Sequence, residues 1–312
     1  MDDLLTQLRH AAASVAANAH HVSIDHAAIP AYAASLPLDA PLPPPAPEAD
    51  AEAHLQEGDR EELAAFWLTL DAINFGSGWF PTLRKRPGRS GYYTIAGGIR
   101  DRFAARGPWT ASELQQIETE ALAQALGQDP RHELMGLFAR SLRDLGCHVA
   151  DDHGGHFCAV IDAAGGSATA FVSELAGWAC FADTSIYDGL EVPFLKRAQI
   201  AAADLERAGV ARFWDLERLT MFADNLVPHV LRLDGILSFD RELVRRIERG
   251  ELIEHDSGAE IEIRACAVHA VERIVRERPE SRAAQVDQLL WLRGQGPNYK
   301  SSPRHRTRCT AY

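Results

Sequence analysis

Glu260-Ile261-Glu262-Ile263-Arg264-Ala265-Cys266-Ala267-Val268-His269-Ala270-Val271-Glu272 is the stretch on which the fold class turns. Its apolar residues cover most of a helix's circumference, so the helix is buried and not laid on a surface. Buried charges need partners, and the four-residue spacing from Glu260 to Arg264 supplies one within the segment. Helical spacing recurs downstream at 281–293 and upstream at 1–18, 24–35, 61–74, 92–105, 111–127, 131–146, 168–179, 194–208, 214–224, 228–235 and 239–249. Within 61–74, Leu63, Phe66, Trp67, Leu70 and Ile73 keep one face, and Gly76 and Gly78 then end it. Short connections and the scarcity of alternating segments predict a mainly α protein, with at most a small β element near 147–163, where His156–Ile161 reads as a short strand.

Composition bounds the rest. The 312 residues, 46% of them hydrophobic, are enough to bury a full core, and we expect one domain over 1–312. A connector at 36–50 interrupts it, because prolines 37, 41, 43, 44, 45 and 47 exclude a helix interior. No apolar run approaches membrane-spanning length, and the start at Met1-Asp2-Asp3 lacks a basic, then apolar leader, so a cytoplasmic location with no membrane partner is expected. Cysteines 147, 158, 180, 266 and 309 are odd in number and form no CxxC pair, which argues against a disulfide framework or a zinc site. The net charge of −12 disfavours tracking a nucleic acid polymer and suits a small ligand, although a local basic pocket fits within such an average.

Four stretches carry possible chemistry. In Leu219-Thr220-Met221-Phe222-Ala223-Asp224-Asn225-Leu226-Val227-Pro228-His229, Pro228 pushes Val227 out of helical geometry, so a helix ends or bends near Asp224 and another opens at Pro228. A carboxylate at such a break, among apolar neighbours, can point into a cleft and stabilise a ribosyl cation; it can equally be a helix cap or an ion-pair partner. In Val192–Ile200, Lys196 follows Pro193 at a helix start, placed either as a buried electrostatic partner or as a solvated residue. The run Arg304-His305-Arg306-Thr307-Arg308 can bind a phosphate or offset nearby acids. Asp151, Asp152, His153, His156 and Cys158 lack a third strong ligand at diagnostic spacing and read as a polar turn, so no metal is expected.

LDAINF (70–75), VPFLKRAQI (192–200), LTMFADNLVP (219–228), EIEIRACAVHAVE (260–272) and LLW with HRTR (289–291, 305–308) stand in the order and approximate spacing of the queuosine salvage proteins, and the chain resembles that family over roughly residues 54–312. The resemblance implies a fold similar to the helical helix-hairpin-helix DNA glycosylases. It also implies hydrolysis of queuosine 5′-monophosphate to queuine and ribose 5-phosphate, with no metal or redox cofactor. By position, Asp224 resembles the family's catalytic carboxylate, Lys196 an active-site cation, Phe222 the ring that packs on the base, Asp287 an acid that holds queuine, and His54 a histidine that touches the base. Gln288 stands where some relatives carry an aromatic residue, and Leu292 where some carry an acid. Arg306 and Arg308, with Lys196, are candidate contacts for the 5′-phosphate. Two other functions share these features: a non-catalytic queuine-binding protein and a helical DNA-repair glycosylase.

Overall fold

A computed structural model of the chain describes residues 3–39 and 51–312; of the connector expected at 36–50, residues 40–50 lie outside the described residues. In chain order the principal elements are α1 (Leu4–Asn18), β1 (Val22–Ile24), α2 (Ile29–Ser35), α3 (Arg60–Ala72), α4 (Gly91–Arg106), α5 (Ala111–Gln115), α6 (Thr119–Ala125), α7 (Glu133–Asp152), α8 (Phe157–Ala163), α9 (Ala168–Ala176), β2 (Thr184–Tyr187), β3 (Leu190–Pro193), α10 (Lys196–Arg207), α11 (Val227–Leu233), β4 (Leu237–Phe239), α12 (Arg241–Glu248), α13 (Gly258–Glu277), α14 (Ala283–Gly294) and α15 (Pro297–Lys300). The protein is mainly helical, as the spacing predicts. No helix among the described residues is long and apolar enough to cross a membrane.

Helix α13 is the expected buried helix: Ala259 to Val268 are all buried, and α1, α2, α11 and α14 pack around it. Glu260 and Arg264 pair at 3.7 Å, but the closer partner of Arg264 is Asp183, at 2.7 Å. Two apolar clusters make up the interior. One gathers α3 to α10 around Phe66, Phe138 and Phe171; the other gathers α1, α13 and α14 around Leu8, Ile263 and Val286. The chain crosses between them at several points, among them Phe194–Leu195 and Leu219–Met221. These two crossings fall in stretches singled out for chemistry.

Two expectations are corrected. The β element near 147–163 is absent: α7 runs to Asp152, and 157–163 forms α8. Phe157, Val160 and Ile161 are buried at a three- and four-residue spacing, which is helical, and Gly154 and Gly155, both with positive φ, form the corner between two helices. Glu61 of α3 accepts the first amides of α8, from Phe157 (2.6 Å) and Cys158 (2.9 Å). The strands lie elsewhere, as two short antiparallel pairs, β1 with β4 and β2 with β3. The β2–β3 hairpin turns on Asp188-Gly189, both at positive φ as the favoured two-residue turn demands.

The second correction concerns 214–224, which is not a helix. Only Leu216–Arg218 makes a 3₁₀ turn, and the chain beyond it carries no helix until Val227. Side chains supply the backbone partners that a helix would have provided. Gln199 accepts the Thr220 N–H (2.8 Å), Asp287 accepts that of Phe222 (3.0 Å), and Arg264 donates to the Ala223 carbonyl (3.0 Å).

Candidate active site

Phe222, Asp224, Asn225 and Leu226 form one wall of a cavity of about 1180 Å³, large enough for a nucleotide. Asp224 is half-buried at that wall. Its Oδ1 accepts the N–H groups of Leu226 (2.8 Å) and Val227 (3.0 Å), so the carboxylate caps the start of α11 while it lines the cavity. The capping role and the cleft-facing role therefore coexist, and the cap fixes the side chain's direction.

Lys196 approaches from α10 and is buried. The preceding Leu195 has φ of +53°, a left-handed conformation costly for a bulky side chain, and Asp183 holds the corner by accepting the Lys196 N–H at 2.9 Å. This corner turns the ammonium into the cavity wall, where it donates to the Asn74 carbonyl at 2.8 Å. Burial pushes Lys196 down to about 8, against the attraction of Asp224.

Asp287, from α14, is also buried and lines the cavity. Burial first, and the Asp224 charge second, hold its carboxyl well above the ordinary range. Both effects favour the protonated form of this acid in the cavity wall. Phe222 is half-buried between the two and lines the same space. His54 joins from the segment before α3, its Nε2 at 2.8 Å from the Tyr92 hydroxyl and its ring 5.0 Å from that of Trp67. Gln288 and Leu292, on α14, line the cavity as well.

The basic run divides. Arg306 lines the cavity and donates to the Gly250 carbonyl (2.9 Å). Arg308 does not line it; its guanidinium is exposed, 3.7 Å from Glu133 and over the Trp79 ring. Arg304 does line it, is half-buried, and has no hydrogen bond or ion pair among the described residues. Burial lowers Arg304, while Asp224 opposes the shift. Burial and the neighbouring Arg304 charge push His305 down to about 3, a sign of positive potential there in an acidic protein.

The 151–158 cluster is not assembled as a metal site: His153 faces Glu174 (2.7 Å) and His148 faces Asp152 (2.9 Å). Among the described residues, the one group with ligand atoms within 4.8 Å of each other is His255, Asp256 and Glu260, whose Glu260 already pairs with Arg264.

A sequence profile described as "Queuosine salvage protein" matches residues 53–312. A Sphaerobacter thermophilus protein named "Queuosine 5'-phosphate N-glycosylase/hydrolase" is 36% identical, over 96% of this chain and 95% of its own length. The chain belongs to the queuosine salvage protein family. Relatives bearing the same name in Dictyostelium discoideum (31% identical, 79% of this chain and 77% of the relative) and Mus musculus (27%, 97% and 98%) are similar to it over comparable spans.

In this member of the queuosine salvage family, Asp224, Lys196, Phe222, Asp287, His54, Gln288 and Arg306 all meet at one cavity, and Arg308 lies outside it. Sequence reasoning gave Arg304 no role of its own, because a run of alternating basic residues does not reveal which side chains turn inward. It also passed over Tyr92, Tyr93 and Trp291, which line the cavity with rings 5.3 to 6.3 Å apart. The adjacent pair Tyr92-Tyr93 was the available signal.

Proposed function

We propose that this protein is a cytoplasmic hydrolase, acting as a single domain, that cleaves the N-glycosidic bond of queuosine 5′-monophosphate to release queuine and ribose 5-phosphate. The observation that carries the reading is the pair Asp224 and Asp287, two acids that line one cavity, with the Asp287 carboxyl held well above the ordinary range by burial and by the Asp224 charge. Queuine has carbon where guanine has a basic imidazole nitrogen, so protonation there cannot activate the leaving base. The protein must then stabilise the ribosyl cation and hydrogen-bond the base elsewhere. The Asp224 carboxylate is suited to the cation and to orienting water, which adds to C1′ as the C–N bond breaks and the departing base gains a proton. Asp287, whose carboxyl burial and the Asp224 charge hold well above the ordinary range, is suited to hydrogen-bond the leaving base, and Phe222 offers a ring to stack on it.

Arg304, with Lys300 and Arg306, lines the mouth of the cavity and suits the 5′-phosphate, since a half-buried guanidinium without a carboxylate partner is an anion site. This local positive charge reconciles a phosphorylated substrate with a net charge of −12. A nucleic acid polymer is not a partner on this reading.

Incubating the purified protein with queuosine 5′-monophosphate and following free queuine by chromatography tests the proposal. Asp224→Asn should lower kcat by roughly 10³-fold or more while circular dichroism stays that of the folded protein. Near-normal turnover in that variant would reject the assignment. Binding without cleavage by the wild type would favour a queuine carrier, and salt-dependent duplex binding a DNA glycosylase.

A further inference from the structure

The cavity continues beyond Lys196 along α10, where Ile200, Ala203, Asp204 and Arg207 follow it on one helical face. From Lys196 to Asp204 the helix rises roughly 12 Å, the span of a bicyclic base with a short side arm. At that end stands a group of side chains for which the hydrolysis proposed above has no use. Asp204 Oδ1 lies 3.1 Å from Arg207. Behind it Asp71 is completely buried, and its Oδ2 has no hydrogen-bond partner. Burial, then the Asp204 charge, raise Asp71 well above the ordinary carboxylate range, which disfavours its charged form. The Tyr92 phenol is raised by burial and by the same two acids, which places all three groups together.

The surroundings fit an organic cation. Tyr92, Tyr93 and Trp291 present electron-rich rings in edge-to-face and tilted contacts beside the acid, and such rings attract ammonium groups. Asp287 is poorly suited to that cation, because burial disfavours its charged form and it already accepts the Phe222 N–H. Lys300, Arg304 and Arg306 line the same cavity, while Asp204 lines it from α10 with Arg207 as its ion-pair partner.

We propose that Asp204 is a specificity-determining residue that accepts the secondary ammonium of the side arm on the 7-position of the base. The inference rests on the hydrolase reading. Its test compares two substrates on the same protein sample: queuosine 5′-monophosphate, and 7-deazaguanosine 5′-monophosphate, which lacks the amine-bearing arm. The wild type should prefer the first by at least about tenfold in kcat/KM, mainly through KM, and Asp204→Asn should reduce that preference by at least about tenfold. The ratio is internal to each preparation, so partial misfolding cannot imitate the loss, and Asp204→Ser is read the same way. A preference kept in both variants, or absent from the wild type, overturns the inference and leaves the hydrolase reading standing. A wild type that releases base from neither nucleotide overturns both.

Discussion

Asp183 holds two buried cations in opposite ways, and the contrast separates a charge matched within the packing from one left at a cavity wall. Arg264 is fully buried, with its guanidinium against both Asp183 oxygens (2.7 and 2.9 Å), a bond to the Ala223 carbonyl, and the Phe194 and Tyr312 rings on its faces. Its partners raise it above its ordinary value despite burial. Lys196 receives from Asp183 only a bond to its backbone N–H, and its ammonium rests on the Asn74 carbonyl. Burial lowers it to about 8. A cation held bidentately by a buried carboxylate and flanked by a second acid stabilises a packing arrangement. One left with its charge only partly offset, at a cavity wall, keeps its electrostatic capacity for whatever enters.

Substitutions on the two sides of Asp183 should therefore diverge. Arg264→Met leaves the Asp183 carboxylate buried without its partner, and urea denaturation should show a loss of about 3–5 kcal/mol. Adding Asp183→Leu should recover part of that loss; a single Arg264→Met variant of undiminished stability would break the comparison. Lys196→Met should instead gain stability, on the order of 1–3 kcal/mol, while kcat falls by roughly 10²-fold.

The pH dependence follows the same line. Wild-type turnover should decline as pH rises through about 8, where the folded protein loses the Lys196 proton. The unfolded chain keeps that proton to near the ordinary 10.5, so between about 8 and 10.5 it binds more protons than the folded one. Stability contributed by this group accordingly rises with pH across that window, and Lys196→Met should flatten the rise.

The smallest effects sharpen the contrast within the basic run. Arg304→Gln should raise KM for the nucleotide by roughly 10- to 100-fold relative to the nucleoside, as expected for charged hydrogen bonds to phosphate. Arg308→Ala, whose side chain is on the surface beside Glu133, should change kcat/KM less than about twofold.

The same contrast explains what could be read from the sequence. The burial of 260–272 and the pairing of Glu260 with Arg264 were legible because both follow from local helical spacing. Asp183, the main partner of Arg264, lies 81 residues away, and no spacing rule reaches it. The helix expected at 214–224 failed for a related reason: its apolar stripe is genuine, but Gln199, Asp287 and Arg264 compete for its backbone and win. At 156–161 the short apolar run fits either period, and Gly154-Gly155 at positive φ turns out to be the corner between two helices. The turn at Asp188-Gly189 was readable and went unread. Family resemblance located Asp224, Lys196 and Asp287; what they do together depends on burial, which the sequence does not display.

The stretch from Leu219 to Leu226 has a consequence for engineering. Its shape is imposed from outside, by side chains of three separate helices, and little of it is encoded in its own letters. Grafted onto another scaffold it would arrive without its form, so redesign for a different nucleobase has more freedom in the lining of α10 and α14 than in the strip of chain that bears the carboxylate.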